Sequence, residues 1–220
     1  VAGMVSFQVA QALGTPFNYF PLEFESSFNI IFYSKVVLSG LFFGIVSIFF
    51  IQSLKMGKKI SDKIKVWLPL KAFIGGCLII LITLAFSPMY LGLGLDTIHK
   101  ALNGESIIWY AFIIKAIITS ITLSFGGSGG IVTPLFFIGT TSGLIFANIF
   151  NLNPAVFASI GLVSILSGAA NTPIAASVMA IELFGPEIVP YASIACVIAF
   201  LMTGNRSAFP TQKLAMTKTD

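Results

Sequence analysis

The stretch FGGSGGIVTPLFFIG, residues 125–139, decides how this sequence is interpreted. Four glycines within five positions come directly before an apolar run that carries no charge. The run predicts a helix over 131–150, and the first turn of a helix has unpaired backbone N–H groups and about half a positive charge. Glycines leave those donors open to a ligand, and they adopt the positive-φ conformations that aim successive N–H groups at one point. The helix break comprises Gly126, Gly127, Ser128, Gly129, Gly130 and Pro134.

This pattern predicts an anion site built from backbone groups, with no lysine or arginine. Partial charges hold an anion weakly enough for release, which suits an ion that passes through the protein. Transporters place the N-termini of half-helices near the membrane midplane for this purpose. The alternative is that the glycines serve close helix packing.

The composition indicates an integral membrane protein. Of the 220 residues, 56% are hydrophobic and 9% are charged, against roughly 25% charged in soluble domains. Nucleic-acid binding is excluded because the basic residues lie between apolar stretches. Cys77 and Cys196 both sit in apolar runs, so we expect packing residues and neither a disulfide nor a metal site. No cofactor or metal is expected.

The apolar stretches predict an all-α, polytopic membrane protein with broken, tilted helices, in a single domain over 1–220. About 20 residues cross a bilayer, and interrupted helices are tolerated where protein or a polar cavity satisfies the backbone. At the break in the fifth stretch, either Asn171 and Thr172 cap a helix whose first residue is Pro173, or the residues form a tight packing turn. Segments 1–13, 93–103 and 207–218 do not cross alone. The predicted spans are 30–54, 66–86, 106–124, 131–150, 155–184 with a break at 167–173, and a shorter one at 188–203.

The distribution of lysines predicts the orientation. Segment 55–71 carries six lysines and one aspartate, so it is expected on the cytoplasmic side of the plasma (inner) membrane. Segment 14–29 carries Glu23 and Glu25 and is expected outside, whereas Lys213 and Lys218 put the C-terminus inside. The start resembles the end of a helix already under way, so we expect a portion of a longer protein.

Four segments in the same order resemble the CLC family of chloride channels and transporters. GGIVTPLFFIGTTSG (129–143) resembles that family's Gly-Gly-x-x-x-Pro helix start, and LSGAANTPIAASVMAIELFG (166–185) its small-residue stretch before Glu-Leu-x-Gly. YLGLGLDTI (90–98) and GNRSAFPTQ (204–212) are similar to two further family segments. The resemblance implies the C-terminal half of a CLC subunit. It further implies halide transport, as a voltage-gated-type chloride channel or an anion/proton antiporter.

The resemblance also implies the site residues. The backbone N–H groups of Ile131 and Val132, next to Gly129 and Gly130, would coordinate a dehydrated halide. Phe209 falls where the family usually places a coordinating Tyr, so the hydroxyl donor is missing. Thr133 stands where many relatives have Ala, and its hydroxyl either lines the ion path or satisfies the helix backbone. The segment TPLFFIG (133–139) resembles the corresponding segment of the family's fluoride-exporting branch. A fluoride/proton antiporter is therefore the alternative.

The family's first-half motifs, Gly-Ser-Gly-x-Pro and Gly-Arg-Glu-Gly-Pro, do not occur in this sequence. The gating and proton-relay glutamates therefore cannot be assigned, and we expect that the chain needs an N-terminal half. The family implies a homodimer, with contacts near 1–13, 173–184 and 188–203. A non-transporting fragment is a further alternative.

Two charges fall within apolar stretches, Lys115 and Glu182. They either pair and fix two helices, or lie near an interface and extend to water; for Lys115 we expect the second. Lys35 is expected to extend to the outer interface.

A remote alternative is an intramembrane serine protease, since GGSG (126–129) presents Ser128 as a nucleophile. Such an enzyme needs a base within hydrogen-bond reach. The single histidine, His99, precedes the serine and lies between spans, where we expect a solvated loop residue.

Overall fold

The computed structural model describes residues 2–14, 20, 30–209 and 212. Within them the chain is all-helical and contains no strand, which confirms the predicted fold class. Short 3-10 turns at Pro88–Tyr90 and Pro186–Ile188 join some of the helices. The helices are α1 (Ala2–Ala12), α2 (Ile30–Lys63), α3 (Leu68–Ala85), α4 (Leu95–Leu102), α5 (Ala111–Ser124), α6 (Val132–Ile149), α7 (Pro154–Ala170), α8 (Pro173–Phe184) and α9 (Val189–Thr203).

Helix α7 is the centre of the fold. Asn153 caps its start, accepting hydrogen bonds from the N–H groups of Ala155 and Val156, and every residue from Val156 to Ala170 is buried. Its small residues let neighbouring helices approach closely. Gly139 of α6 faces Gly161, and Gly143 faces Phe157, so α6 and α7 are antiparallel.

Helices α2, α5 and α7 run in one direction. Phe43 of α2 lies against Gly161, and Ser47 donates a hydrogen bond to the carbonyl of Ile165, 3.3 Å away. Further along α2, Ser61 donates to the carbonyl of Ser124 at the end of α5. The ends of α2, α5 and α7 and the start of α6 therefore lie on the same side of the molecule.

The helix bounds differ from the predicted spans at two places. Helix α2 continues from the predicted end at 54 to Lys63, whereas α5 begins at Ala111 and not at 106. Among the described residues, four segments are long and apolar enough to cross a membrane, namely α2, α3, α6 and Pro186–Thr203. Helices α5, α7 and α8 are apolar but shorter, as expected of broken helices.

The predicted break in the fifth span is confirmed, but its capping is not. Asn171 adopts a left-handed conformation (φ 58°) that ends α7, and its side-chain amide donates to the Arg206 carbonyl at 3.1 Å. Thr172 makes no side-chain cap bond to α8. The residues form a tight turn, with Pro173 at the first position of α8 as predicted.

The predictions for Glu23, Glu25, Lys213 and Lys218 lie outside the described residues, so the orientation that they support stays a prediction.

Candidate anion-binding site

The glycine-rich segment leads directly into α6. Gly126 has a φ of 96°, a conformation that favours glycine. The next N–H, of Gly127, donates to the Thr122 carbonyl at 2.8 Å, which ends α5 with a reversal of the chain. Ile131 is the N-cap residue of α6 and makes no side-chain cap bond. In the described part of the chain, α5 therefore turns into α6 with no side-chain cap bond from Ile131 at the helix start.

The first backbone donors of α6 are unpaired within the described part of the chain. Leu135 is the first residue of the helix whose N–H reaches a carbonyl, that of Ile131, at 3.1 Å. Pro134 has no N–H, so its place in the first turn removes no bond. Among the described residues, no acceptor bonds the N–H groups of Gly129, Gly130, Ile131, Val132 and Thr133.

Close packing does not explain most of these glycines. A Cβ added at Gly126 or Gly130 meets no atom within 4 Å, and one at Gly129 meets only Leu123, at 3.9 Å. Gly127 is different, because a Cβ there would lie 2.7 Å from the Thr122 carbonyl oxygen. Residues 126–130 are exposed. The donors at the start of α6 are thus accessible from outside the described chain.

Phe209 lies at the same end of α6 and α7. The antiparallel register, with Gly139 facing Gly161, places Ile131 level with Ala169. The carbonyl of Ala169 accepts a hydrogen bond from Ala208, at 2.8 Å, which holds the segment leading to Phe209. Ile131 and Phe209 are both half-buried and both pack against the hydrophobic core. No local sequence pattern predicts that Ile131 and Phe209 lie near one another, and only the family resemblance implied it.

Thr133 does not bond the helix backbone in the described structure. Thr119, Thr122, Thr140 and Thr141 each donate their hydroxyl to a carbonyl three or four residues earlier. No such bond is made by Thr133, whose side chain is half-buried in the first turn of α6. Within the described residues this counts against the bond to the helix backbone, and the role of the hydroxyl in lining an ion path stays a prediction.

Lys115 is the charged residue that sequence reasoning placed wrongly. It is 2% exposed, so it does not extend to an interface. Its ammonium donates to the carbonyls of Tyr90, at 3.0 Å, and Gly92, at 2.7 Å, and lies 5.1 Å from the ring centre of Phe137 in α6. Glu182 is exposed, and in the described structure no ion pair joins the two. Lys115 thus holds the loop before α4 against α5 and α6. The sequence could not predict this role because it does not show where the loop carbonyls lie.

Other predicted residues are less central. Cys196 is buried and packs as expected, whereas Cys77 is exposed on α3. Lys35 is half-buried, with its ammonium 3.5 Å from the Phe150 carbonyl at the far end of α6.

Ser128 is exposed, and no hydrogen bond joins it to His99 in the described structure. The His99 ring instead packs edge-on against Phe20, at 5.0 Å.

Comparisons with known proteins agree with this architecture. Residues 1–204 match the family model described as voltage gated chloride channel. A "chloride/fluoride channel protein" of Pseudomonas syringae pv. tomato is 34% identical over 225 residues, covering 99% of this chain and 50% of that protein.

Two solved structures are also similar. A CLC-type fluoride/proton antiporter has a TM-score of 0.88 and 29% identity, covering 94% of this chain and 52% of that one. A slow cyanobacterial Cl⁻/H⁺ antiporter has a TM-score of 0.70 and 20% identity, covering 89% and 49%; at that identity the likeness shows the fold alone. The chain spans about half the length of these relatives.

Proposed function

The chain belongs to the voltage-gated chloride channel family, and we propose that it forms half of a membrane pathway in which the start of α6 binds a halide. The N–H groups of Ile131 and Val132 are the proposed ligands, with Gly129 and Gly130 leaving the approach open. The observation that carries the proposal is the row of unpaired donors at an exposed helix start.

The electrostatics of the region suit an ion that must leave again. Between Lys115 and Arg206 the sequence contains no lysine or arginine, and the Lys115 ammonium already donates to two carbonyls. No residue of α6, α7, α8 or α9 thus brings a cation to the start of α6, where the peptide dipoles attract an anion. A site of this strength permits passage, which a buried ammonium facing the ion would hinder.

We propose fluoride as the cargo, with chloride as the second candidate. Fluoride is small and strongly hydrated, so its site must supply hydrogen-bond donors that replace water. Thr133 offers a hydroxyl in the first turn of α6 that makes no bond within the described chain, whereas Phe209 offers none. The names of the Pseudomonas relative and of the antiporter structure at 29% identity both include fluoride.

The remainder of the pathway is proposed to come from a segment equivalent to the other half of the relatives. Residues 126–130 are exposed in this chain, so a further segment can cover the ion and supply the remaining ligands. Coupling to protons is proposed from the antiporter named above. This proposal is preferred to a non-transporting fragment and to a protease because the family is one of channels and transporters.

A homodimer in the plasma membrane, with the C-terminus in the cytoplasm, is also proposed. Apolar side chains of α8 are exposed along one face, among them Ile174, Val178 and Ile181. This face borders a groove shared with Val189 and Val197 of α9. A second copy of the chain would cover it, as the family resemblance implies.

Flux from liposomes that contain the complete protein tests the function. We expect fluoride efflux accompanied by proton movement in fixed ratio, and loss of both in Gly130→Leu. Gly76→Leu is the matched control, because a Cβ at either glycine meets no atom within 4 Å. Halide flux without proton movement would indicate a channel and not an exchanger. Full activity of Gly130→Leu would refute the proposed site.

A further inference from the structure

A groove at the end of α2 is lined by lysines that neither the fold nor the halide pathway uses. Lys58, Lys59 and Lys63 follow Lys55 by three, four and eight residues, so the four lysines share one face of the helix. All four are exposed. Together with Asp62 and Lys65 they surround a groove of about 620 Å³, here called the lysine groove.

The opposite face of the same helix turns is fixed to α5. Gly57 packs so closely against Ser120 and Ser124 that a Cβ would overlap their side chains. Ser61 is buried and donates to the Ser124 carbonyl, while Ser120 donates to the Ser53 carbonyl at 2.5 Å. These contacts set the rotation of the helix, so the lysines are presented on a rigid face that points away from the protein.

The charge in the lysine groove is unbalanced. Five ammonium groups face one carboxylate, and Asp62 forms no ion pair with any described residue. Like charges held this close repel one another. A bound anion with several acceptor oxygens would relieve that repulsion by accepting hydrogen bonds from more than one lysine.

If α2 crosses the bilayer from its first residue, its length puts the groove next to the lipid headgroups. From Ile30 to Lys55, α2 rises about 37 Å, more than the hydrocarbon core of about 30 Å. Trp67 and Leu68 follow Lys65 and are 77% and 76% exposed, and Trp is typical of the membrane interface. The exposed apolar face of α3 begins there, since within the described structure only Gly75 of this helix is buried.

We propose that the lysine groove binds the headgroup phosphate of an anionic phospholipid whose acyl chains lie along α3. The lysines supply the charge, and the neighbouring Trp67, Leu68 and Leu70 supply an apolar surface for the chains. This continuity favours a lipid over a soluble acidic protein, which would leave the apolar surface uncovered. The proposal does not depend on which ion the protein transports.

Fluorescence of Trp67 tests the proposal, because brominated lipids quench a tryptophan that they contact. The complete protein, with its other tryptophans changed to phenylalanine, is placed in phosphatidylcholine bilayers that contain brominated phosphatidylglycerol or brominated phosphatidylcholine. We expect binding of the anionic lipid next to Trp67 to exceed that of phosphatidylcholine by about fivefold or more, since one lysine near an anionic lipid contributes that much.

Matched variants identify the cause. Lys58→Gln, Lys59→Gln and Lys63→Gln together should bring the ratio of the two lipids close to one, whereas arginine at the same positions keeps it. Lys100→Gln removes an exposed lysine of α4, outside the groove, and should change nothing. Excess inorganic phosphate should leave the ratio unaltered.

Three results would overturn the proposal. Equal quenching by both lipids in the parent protein would mean that the groove does not prefer an anionic lipid, and a soluble acidic protein would then be the expected ligand. Displacement by inorganic phosphate assigns it to a free anion. An unchanged ratio in the triple glutamine variant places the lipid preference outside these lysines.

Discussion

Gly143→Ala tests whether the contact between α6 and α7 fixes the position of the candidate anion site. A Cβ at Gly143 would overlap the Phe157 carbonyl oxygen and lie 2.7 Å from Cα of Ala158. Ordinary contact begins at 3.4 Å, so the two helix backbones must separate by about 0.7 Å or more. Both neighbours are backbone atoms in the buried part of α7, so neither can rotate away as a side chain could.

The expected cost follows from this geometry. Forcing extra volume into a packed core destabilises by about 1–3 kcal/mol. Gly139 meets the same limit one turn earlier, where a Cβ would lie 2.6 Å from Cα of Leu162. A shift at Gly143 is therefore transmitted along the helix toward its start. We expect a weaker halide affinity in addition to the loss of stability.

Thermal unfolding of the purified protein in detergent, combined with halide titration calorimetry, measures both effects. Gly76→Ala is the control, because it adds the same methyl group to a helix position with no atom within 4 Å. Alanine is the better helix former there, so this variant should lose no stability. A Gly143→Ala protein that unfolds at the parent temperature, with unaltered affinity, would show that this contact does not fix the position of the site.

Three further changes test other parts of the account. Lys115→Met removes the donor to the Tyr90 and Gly92 carbonyls and should cost about 1–3 kcal/mol of unfolding free energy; unaltered denaturant unfolding would contradict that role. Phe209→Tyr adds a hydroxyl at the candidate site and should tighten halide binding by about 2- to 12-fold in calorimetry, and no change would separate this residue from the ion. Asn171→Ala should lower the unfolding temperature more than Asn171→Gly, because only glycine adopts the left-handed conformation without strain; equal losses would argue against that cause.

The starts of α6 and α8 could be predicted from the sequence because local chemistry marks them. The segment from Gly126 to Pro134 marks the start of α6, and Pro173 marks the start of α8. Each predicted start lies within one residue of the observed one. The end of α2 could not be predicted in this way. Its lysines are polar, which suggested the end of a span, but lysine is a good helix former and the helix continues beyond the membrane.

Tertiary contacts explain what no local sequence pattern could predict. The burial of Lys115 depends on carbonyls at Tyr90 and Gly92, more than twenty residues earlier, which no local pattern connects to it. The place of Phe209 level with the start of α6 likewise depends on the register of α6 against α7. The backbone donors of the candidate site could be predicted because they belong to the helix start itself.

Replacement of the Val132 backbone amide by an ester measures what a single peptide N–H contributes to halide binding, because it removes one N–H and keeps every side chain. The complete protein carrying this change should bind halide about tenfold more weakly or worse in calorimetry, as expected for one lost hydrogen bond to a charged group. The same ester at Val36 in α2, away from the site, should leave the affinity unaltered. Parent-level affinity in the Val132 ester would contradict the claim that peptide N–H groups at the start of α6 hold the ion.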